Sequence, residues 1–385
     1  VLPYFHEDKG MKILWMAWKD IKNPYAGGAE VVNGQLAQRL VRDGHEVIFL
    51  VRGFADAPKE ETRHGYRIIR VGDFHSVYWE AYRYYKKHLQ GWADLVIEEV
   101  NTIPFFCNWY VRERNILFFH QLCREIWFYE MGSFKGIFGY VAETIYLMLL
   151  GNRDVITVSD SSKRDLSRYG FKRNRIKVIG EGIELEPVTD LSLKKFEQPT
   201  MLSLGALRPM KRTDHIVRAF ELAKKDLPNL RLVVAGDPSG NDKVRKVIEA
   251  SPYRDSIEFL GKVSREKKIE LMQRAHLVCV ASVKEGWGLV VTEANSQGTP
   301  AVAYDIDGFR DSIRHGETGL LTEKNDPESL AKAVVSLLSD MERYAMMRKN
   351  GWEWSKEKTF EQSYADFLKA IAMPSLSGKG QEMKG

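Results

Sequence analysis

Leu277-Val-Cys-Val-Ala-Ser-Val-Lys-Glu-Gly-Trp-Gly-Leu-Val-Val-Thr-Glu-Ala-Asn-Ser-Gln-Gly-Thr-Pro300 carries three structural signals in one stretch. Leu277–Ala281 is a short apolar run of the kind that forms a buried strand. Gly286 and Gly288 permit a turn, and the residues after them follow a helical pattern that stops near Gly298, with Pro300 just beyond. Strand, glycine turn and helix in this order build parallel sheets covered by helices on both faces.

The same alternation runs outward in both directions. Upstream in this half, strands are expected at Thr200–Leu204, Arg231–Ala235 and Ile257–Leu260, with a helix from about Arg212 to Lys225. Downstream, Ala301–Tyr304 and Gly319–Thr322 continue the series, and Glu357–Ala372 reads as a last helix. The first half repeats the plan with strands at Lys12–Trp18, Glu46–Val51, Tyr66–Val71, Leu95–Glu98, Ile116–Phe119, Val155–Val158 and Ile176–Ile179. A helix over Ala29–Asp43 places Leu36, Ala37, Leu40 and Val41 on one stripe and stops at Gly44. Between the halves, Glu184–Thr200 holds Pro187 and Pro199 with no firm period and reads as a linker. The expected fold is α/β: two Rossmann-like doubly wound domains, 11–190 and 197–356, facing a central cleft lined by loops that follow strand carboxyl ends. Residues 1–10 are set aside as a leading stretch, and the Lys-, Gly- and Ser-rich residues after Pro374 are expected to be disordered.

Composition narrows the function. Lys plus Arg number 57 and Asp plus Glu 52, a net charge of +5, too small and too scattered for a nucleic-acid partner. Cys107, Cys123 and Cys279 are three, unevenly spaced and without a CxxC pair, which argues against a disulfide framework or structural zinc and for a reducing, cytoplasmic setting. No uninterrupted apolar run reaches the ~18 residues of a membrane span; Gly136–Gly151 comes nearest and carries Glu143. No secretory signal is expected, because the start lacks a basic region followed by an apolar core and a cleavage site.

Four loops carry the chemistry. Asn23-Pro-Tyr-Ala-Gly-Gly-Ala-Glu30 lies between a strand and a helix, where Gly27 and Gly28 let backbone approach an anion. It is not the GxGxxG dinucleotide fingerprint, and it also fits a plain turn. Gly205-Ala-Leu-Arg-Pro-Met-Lys-Arg212 occupies the equivalent place in the second half. Arg208, Lys211 and Arg212 oppose a helix dipole there, which fits an anion held between them or a solvated basic surface. In the quoted stretch, Glu285 and Glu293 stand eight residues apart, ~12 Å were the span all helix. A nucleoside diphosphate sugar reaches about as far, so one acid suits sugar hydroxyls and the other ribose hydroxyls. Amides around Gly286, Trp287, Gly288 and Leu289 would face the diphosphate. In Phe118-Phe-His-Gln-Leu122, His120 ends an apolar strand and is either a cleft residue or a structural histidine.

At these residues the chain resembles retaining glycosyltransferases of family 4, with the GT-B fold, from Met11 to about Ala372. The most specific part is Glu285 to Glu293 with Gly298-Thr-Pro-Ala-Val and Gly316-Glu-Thr-Gly-Leu-Leu. The resemblance implies that Glu285 contacts the donor sugar, Glu293 the ribose, and Gly27 and Gly28 the diphosphate, and that His120 is the cleft histidine. It also implies that the last helix crosses back onto the first domain. The chain departs from the family at Ala206, where an arginine is usual, while Lys211 matches; Arg208 is the residue placed to replace that charge. Gly180-Glu-Gly182 stands where Pro-Asn-Gly is usual, and Asp307-Gly308 where a paired glycine is usual.

The implied reaction moves a sugar from a nucleoside diphosphate to a hydroxyl acceptor with retained configuration, the nucleotide sugar being a co-substrate with no other cofactor. Catalysis falls to Glu285, Lys211 and His120, and no metal is expected: Asp305-Ile-Asp307 spells a DxD triplet but reads as a loop. A nucleotide-sugar epimerase and a non-catalytic sugar-nucleotide-binding protein are the competing readings. The aromatics of Phe105–Leu150 are expected to build the first domain's core and cleft wall, with contact to a membrane headgroup layer as the alternative.

Overall fold

The computed structural model describes residues 10–238 and 242–372; the expectations for residues 1–9 and for the tail after Pro374 lie outside them. The chain divides into two compact units. One comprises the chain up to Leu122, Ala142–Gly182 and the chain from Phe360 on; the other comprises Cys123–Val141 and Ile183–Thr359. This parts from the 11–190 and 197–356 division at 123–141 and at 183–190, which group with the second unit.

In the first unit the strands are β1 (Lys12–Met16), β2 (Glu46–Arg52), β3 (Glu60–Arg63), β4 (Tyr66–Val71), β5 (Leu95–Glu99), β6 (Arg114–Phe119), β7 (Val155–Thr157) and β8 (Ile176–Val178). They form one sheet in the order β3-β4-β2-β1-β5-β6-β7-β8. Every pairing is parallel except β3 with β4. The sequence reading lacks β3, because Glu-Glu-Thr-Arg has no apolar alternation; the neighbouring strand makes it a strand. The strand expected over Lys12–Trp18 stops at Met16, which leaves Trp18 in the loop beyond.

Helix α1 (Gly28–Arg42) buries Leu36, Ala37 and Leu40 as its spacing predicts. Trp15, on the central strand, is fully buried and stacks on Phe49 (centroids 5.2 Å) and on Phe367 (5.8 Å). A large apolar side chain buried this way stabilises the unit by about 1.5–3 kcal/mol. Phe367 belongs to the C-terminal helix, which covers Phe360–Ala372 and lies against α1; Arg39 and Arg42 reach Glu361, and Tyr364 donates to Asp43 at 2.9 Å. That helix begins at Phe360 rather than Glu357, because a turn over Lys356–Thr359 separates it from the helix before.

The second unit carries β9 (Thr200–Leu204), β10 (Arg231–Ala235), β11 (Ile257–Gly261), β12 (Leu277–Val280), β13 (Ala301–Ala303) and β14 (Gly319–Leu321). Their order is β11-β10-β9-β12-β13-β14, all parallel. Its apolar core joins the sheet to the helices over Thr213–Asp226 and Pro327–Ser339, which pack on each other. The segment read as a linker is pinned to this unit. Val188 donates its amide to Ser296, Phe196 to Arg274, and the Lys195 ammonium to Gln273, Gly298 and Thr299.

Residues Ile126–Leu150 form a helical segment of 25 residues, broken at the non-helical Gly132, that is long and apolar enough by length and composition alone to cross a membrane. Glu130, Lys135 and Glu143 interrupt it, which is why the sequence shows no unbroken apolar run there. The helix is kinked at Gly132 (φ 75°), and 28% of its most apolar window is buried. The aromatics expected in a core therefore divide. Phe118, Phe119 and Tyr146 are buried, whereas Trp109, Phe134 and Phe138 are 66%, 79% and 70% exposed.

Candidate active site

Each sheet has one point where strand order reverses, between β1 and β5 and between β9 and β12. Loops leaving the carboxyl ends of those strands diverge and open a crevice, which is where open parallel sheets hold ligands. In the second unit the two loops are Gly205–Arg212 and Ala281–Gly288. They line a small crevice with Gly205, Ala206, Lys211, Thr213, Ser282 and Glu285 at its wall.

Lys211 and Glu285, 74 positions apart in sequence, meet there at 2.5 Å (Nζ to Oε1). The same carboxylate oxygen accepts a hydrogen bond from Ser282 Oγ at 2.6 Å. Lys211 stays 32% exposed and Glu285 14%, so the pair is reachable from solvent. Its backbone support is tight: a Cβ on Gly308 would stand 2.4 Å from the Glu285 carbonyl oxygen. Gly288 has φ +94°, and a Cβ there would meet Phe309 at 2.7 Å. Beyond it starts a helix over Leu289–Ser296, whose first turn begins with the amides of Leu289 and Val290.

The other expected residues separate from this pair. Glu285 sits in the loop and Glu293 on the helix, so the eight-residue spacing is not one helical span and the ~12 Å reach does not apply. Glu293 is buried and held by Lys268 at 2.7 Å; burial pushes its carboxyl up against the opposing pull of that lysine. Trp287 is buried. The cations of the Gly205–Arg212 loop do not converge on one anion site. Arg208 pairs with Glu130 at 3.3 Å, while Arg212 turns toward His215 and lies 5.3 Å from the Tyr304 ring. Asp305 and Asp307 are both bound by Arg310, at 2.6 and 3.2 Å, as loop residues.

In the first unit, Gly27 and Gly28 are exposed at the start of α1, with the Gly27 amide donating to Glu30 at 2.6 Å. Glu30 is itself buried and paired with Lys19 at 3.3 Å. His120 follows β6. Its Nε2 lies 3.2 Å from Asn33 Oδ1 and its Nδ1 3.4 Å from Glu181. Asn33 donates through Nδ2 to Glu99 at 2.6 Å, so its oxygen must be the atom that faces the histidine. Both ring nitrogens then face acceptors, an arrangement that suits the imidazolium. Burial works against that charge, but Glu181 and the charges of Glu99 and Glu30 outweigh it and raise the His120 pKa. Burial, with Glu30 adding, pushes Glu99 up to about 7 despite His120 and Lys19.

Asn33, Glu99 and Glu181 are absent from the sequence reading. Two adjacent acids ending an apolar strand, Glu98 and Glu99, were a legible signal, and Glu181 lay inside the Gly-Glu-Gly departure. Asn33 gave none, since one polar residue on a helix is ordinary.

Comparison with known proteins finds a family match in each part of the chain. A family described as Glycosyltransferase Family 4 matches residues 26–187, and one described as Glycosyl transferases group 1 matches 190–354. An uncharacterized glycosyltransferase of Methanocaldococcus jannaschii is 26% identical over 364 residues, 86% of this chain and 90% of that protein. D-inositol 3-phosphate glycosyltransferase of Nocardia farcinica is 30% identical over 211 residues, covering 51% of this chain and 47% of its own, so the match spans about half of that relative. Among solved structures, sucrose-phosphate synthase of Thermosynechococcus elongatus superposes with a TM-score of 0.80 at 21% identity over 94% of this chain and 98% of its own. HepE of Anabaena, solved with UDP-glucose, gives 0.71 at 18% identity over 94% and 99%.

Proposed function

The chain belongs to glycosyltransferase family 4, on the GT-B fold of two Rossmann-like domains, and from that membership we propose that it transfers a hexose from a nucleoside diphosphate to a hydroxyl acceptor with retention. The observation that carries the reading is the Lys211–Glu285 pair at the β9/β12 switch point. Nucleotide-sugar dependence is a property of the family; UDP-glucose is the donor we propose, on the likeness to HepE.

The reaction's difficulty is charge. As the sugar–phosphate C–O bond breaks, the diphosphate gains negative charge and the sugar becomes oxocarbenium-like. In this reading Lys211 and the amides at Gly288 and Leu289 stabilise the diphosphate, with Arg208 joining by exchanging Glu130 for phosphate. Glu285 accepts from sugar hydroxyls and Glu293 from the ribose; Gly286 and Trp287 shape the turn between them. Gly27 and Gly28 leave room for the phosphates, and His120 donates to the sugar by exchanging Asn33 for a sugar hydroxyl. The acceptor oxygen bonds to the anomeric carbon on the face the phosphate leaves, and its proton passes to the departing phosphate oxygen.

The reading includes a cytoplasmic setting, supported by three free and buried cysteines, and peripheral contact with a membrane through the exposed apolar stripe of the Ile126–Leu150 helix. The test is binding and turnover of UDP-, GDP- and ADP-sugars by the purified chain. A donor that raises the melting temperature and releases nucleoside diphosphate supports the proposal. A chain that binds none of them, or isomerises the donor with no acceptor, refutes it.

A further inference from the structure

Two arginines lie near the carboxyl ends of neighbouring strands in the first sheet, and both are almost wholly buried: Arg52 ends β2 and Arg70 stands on β4. Arg70 is fully matched. It bonds to Asp20 at 2.9 and 3.1 Å, to Glu61 at 3.1 Å and to the Pro58 carbonyl at 2.9 Å. Arg52 has none of this. Among the described residues no carboxylate pairs with it, and its Nε is shut off from water without a hydrogen-bond partner. A buried cation left unpaired is costly, which is why such groups are normally matched within the protein.

Aromatic rings frame Arg52 instead. Its guanidinium carbon stands 4.2 Å from the Trp18 ring centre and 5.6 Å from that of Phe74, and the two rings meet edge to face at 5.5 Å. Asp73, whose charge acts on Arg52, is occupied by the amides of His75 and Ser76 and by the Ser76 hydroxyl. Trp18 follows β1, Arg52 ends β2 and Phe74 follows β4, and these strands are adjacent in the sheet. The group therefore sits at the carboxyl ends of parallel strands, where ligands settle. Phe74 is 58% exposed and Tyr25, in the glycine loop, 65%, so aromatic faces are open to a ligand.

We propose that Arg52, framed by Trp18 and Phe74, is an anion subsite that anchors the acceptor, and that the acceptor is a sugar or polyol bearing a phosphate monoester or a carboxylate. The planar guanidinium fork matches either anion in bidentate fashion, and the rings supply apolar faces for the carbon skeleton. Only the word acceptor rests on the transferase reading; the anion subsite stands on Arg52 itself.

The test is titration of the purified full chain at low ionic strength with glucose 6-phosphate, glucuronate and neutral glucose, on wild type, Arg52→Met and Trp18→Leu, with UDP-glucose titrated in parallel. One of the two anionic sugars is expected to bind wild type at least tenfold more tightly than glucose. Arg52→Met is expected to bring that affinity down to the level of glucose and Trp18→Leu to weaken it severalfold. UDP-glucose affinity and the melting temperature should hold, since an apolar chain of similar length replaces an unmatched charge. Should Arg52→Met fail to fold, Arg52→Lys, which keeps the charge and loses the fork, is read in its place. A threefold or larger loss then supports the subsite, and unchanged affinity overturns it. Anion binding retained in Arg52→Met overturns it too, as does a wild type that prefers neither anionic sugar to glucose. Failure of UDP-glucose to bind wild type removes it as the donor, and failure of GDP- and ADP-sugars as well removes the transferase reading. In either case the sugar titrations decide the subsite alone.

Discussion

Gly308 lies directly against the backbone of Glu285: a Cβ at position 308 would stand 2.4 Å from the Glu285 carbonyl oxygen and 2.9 Å from its Cβ, and Gly308 itself has φ +89°. Two constraints therefore act at one residue, a conformation that side chains rarely adopt and a gap too narrow for one.

Gly308→Ala is expected to cost about 1–3 kcal/mol of stability through strain and to displace the loop that carries Glu285. Turnover should fall more than the melting temperature alone explains. Full activity with an unchanged melting temperature would show that neither constraint operates.

Glu285→Ala and Lys211→Ala are each expected to abolish or cut transfer while leaving the fold intact. For Lys211, loss of its contact to the developing negative charge costs about 3 kcal/mol, roughly a hundredfold in rate. Because the two side chains are in direct contact, the double variant should be less impaired than the product of the single effects. Circular dichroism and steady-state rates on the three variants check this, and independent effects would mean that the ion pair is incidental.

The His120 cluster makes stability fall with rising pH. The folded state holds the Glu99 proton to about 7, against about 4.3 unfolded. The raised His120 pKa acts in the same direction. Between pH ~4.3 and ~7 the native chain thus binds more protons than the unfolded chain, so the unfolding free energy declines across that window. The His120 contribution is complete below its unfolded value of about 6.5 and is lost as pH rises through the folded one. Melting temperatures from pH 5 to 8 should show this decline in wild type and a shallower one in Glu99→Gln. Parallel profiles would exclude Glu99 as its source.

Phe134, Ile137, Phe138, Ile145, Met148 and Leu149 recur at helical spacing and are 53–79% exposed. Cosedimentation with anionic vesicles is expected for wild type, and Phe134→Ser with Phe138→Ser should reduce it at least fivefold. Stability should change by no more than about 0.5 kcal/mol per site, because both side chains are already in water. A wild type left in the supernatant at low salt would end the membrane proposal.

What could be read from the chain beforehand follows a physical divide. Strands such as Arg231–Ala235 and Thr200–Leu204 were legible to the residue, since burial on both faces demands an unbroken apolar run. Lys211 and Glu285 were legible as types at loop positions, but their contact, which depends on how β9 and β12 adjoin, was not. Arg52 was invisible for the opposite reason. One arginine at a strand end is commonplace until its neighbours are known to leave it unmatched.

The edge strand over Glu60–Arg63 has a bearing on how the molecule keeps to itself. It closes one side of a largely parallel sheet with Glu60, Glu61 and Arg63, and the acids are engaged by Arg67, Arg70 and Lys22. An unpaired rim of main-chain donors and acceptors invites a second molecule to add its own strand, and charge along that rim deters it. Polar residues that spoiled the strand signal thus serve as a guard against fibrous self-association. Apolar replacements at Glu60 and Glu61 would convert the same ribbon into an adhesive border.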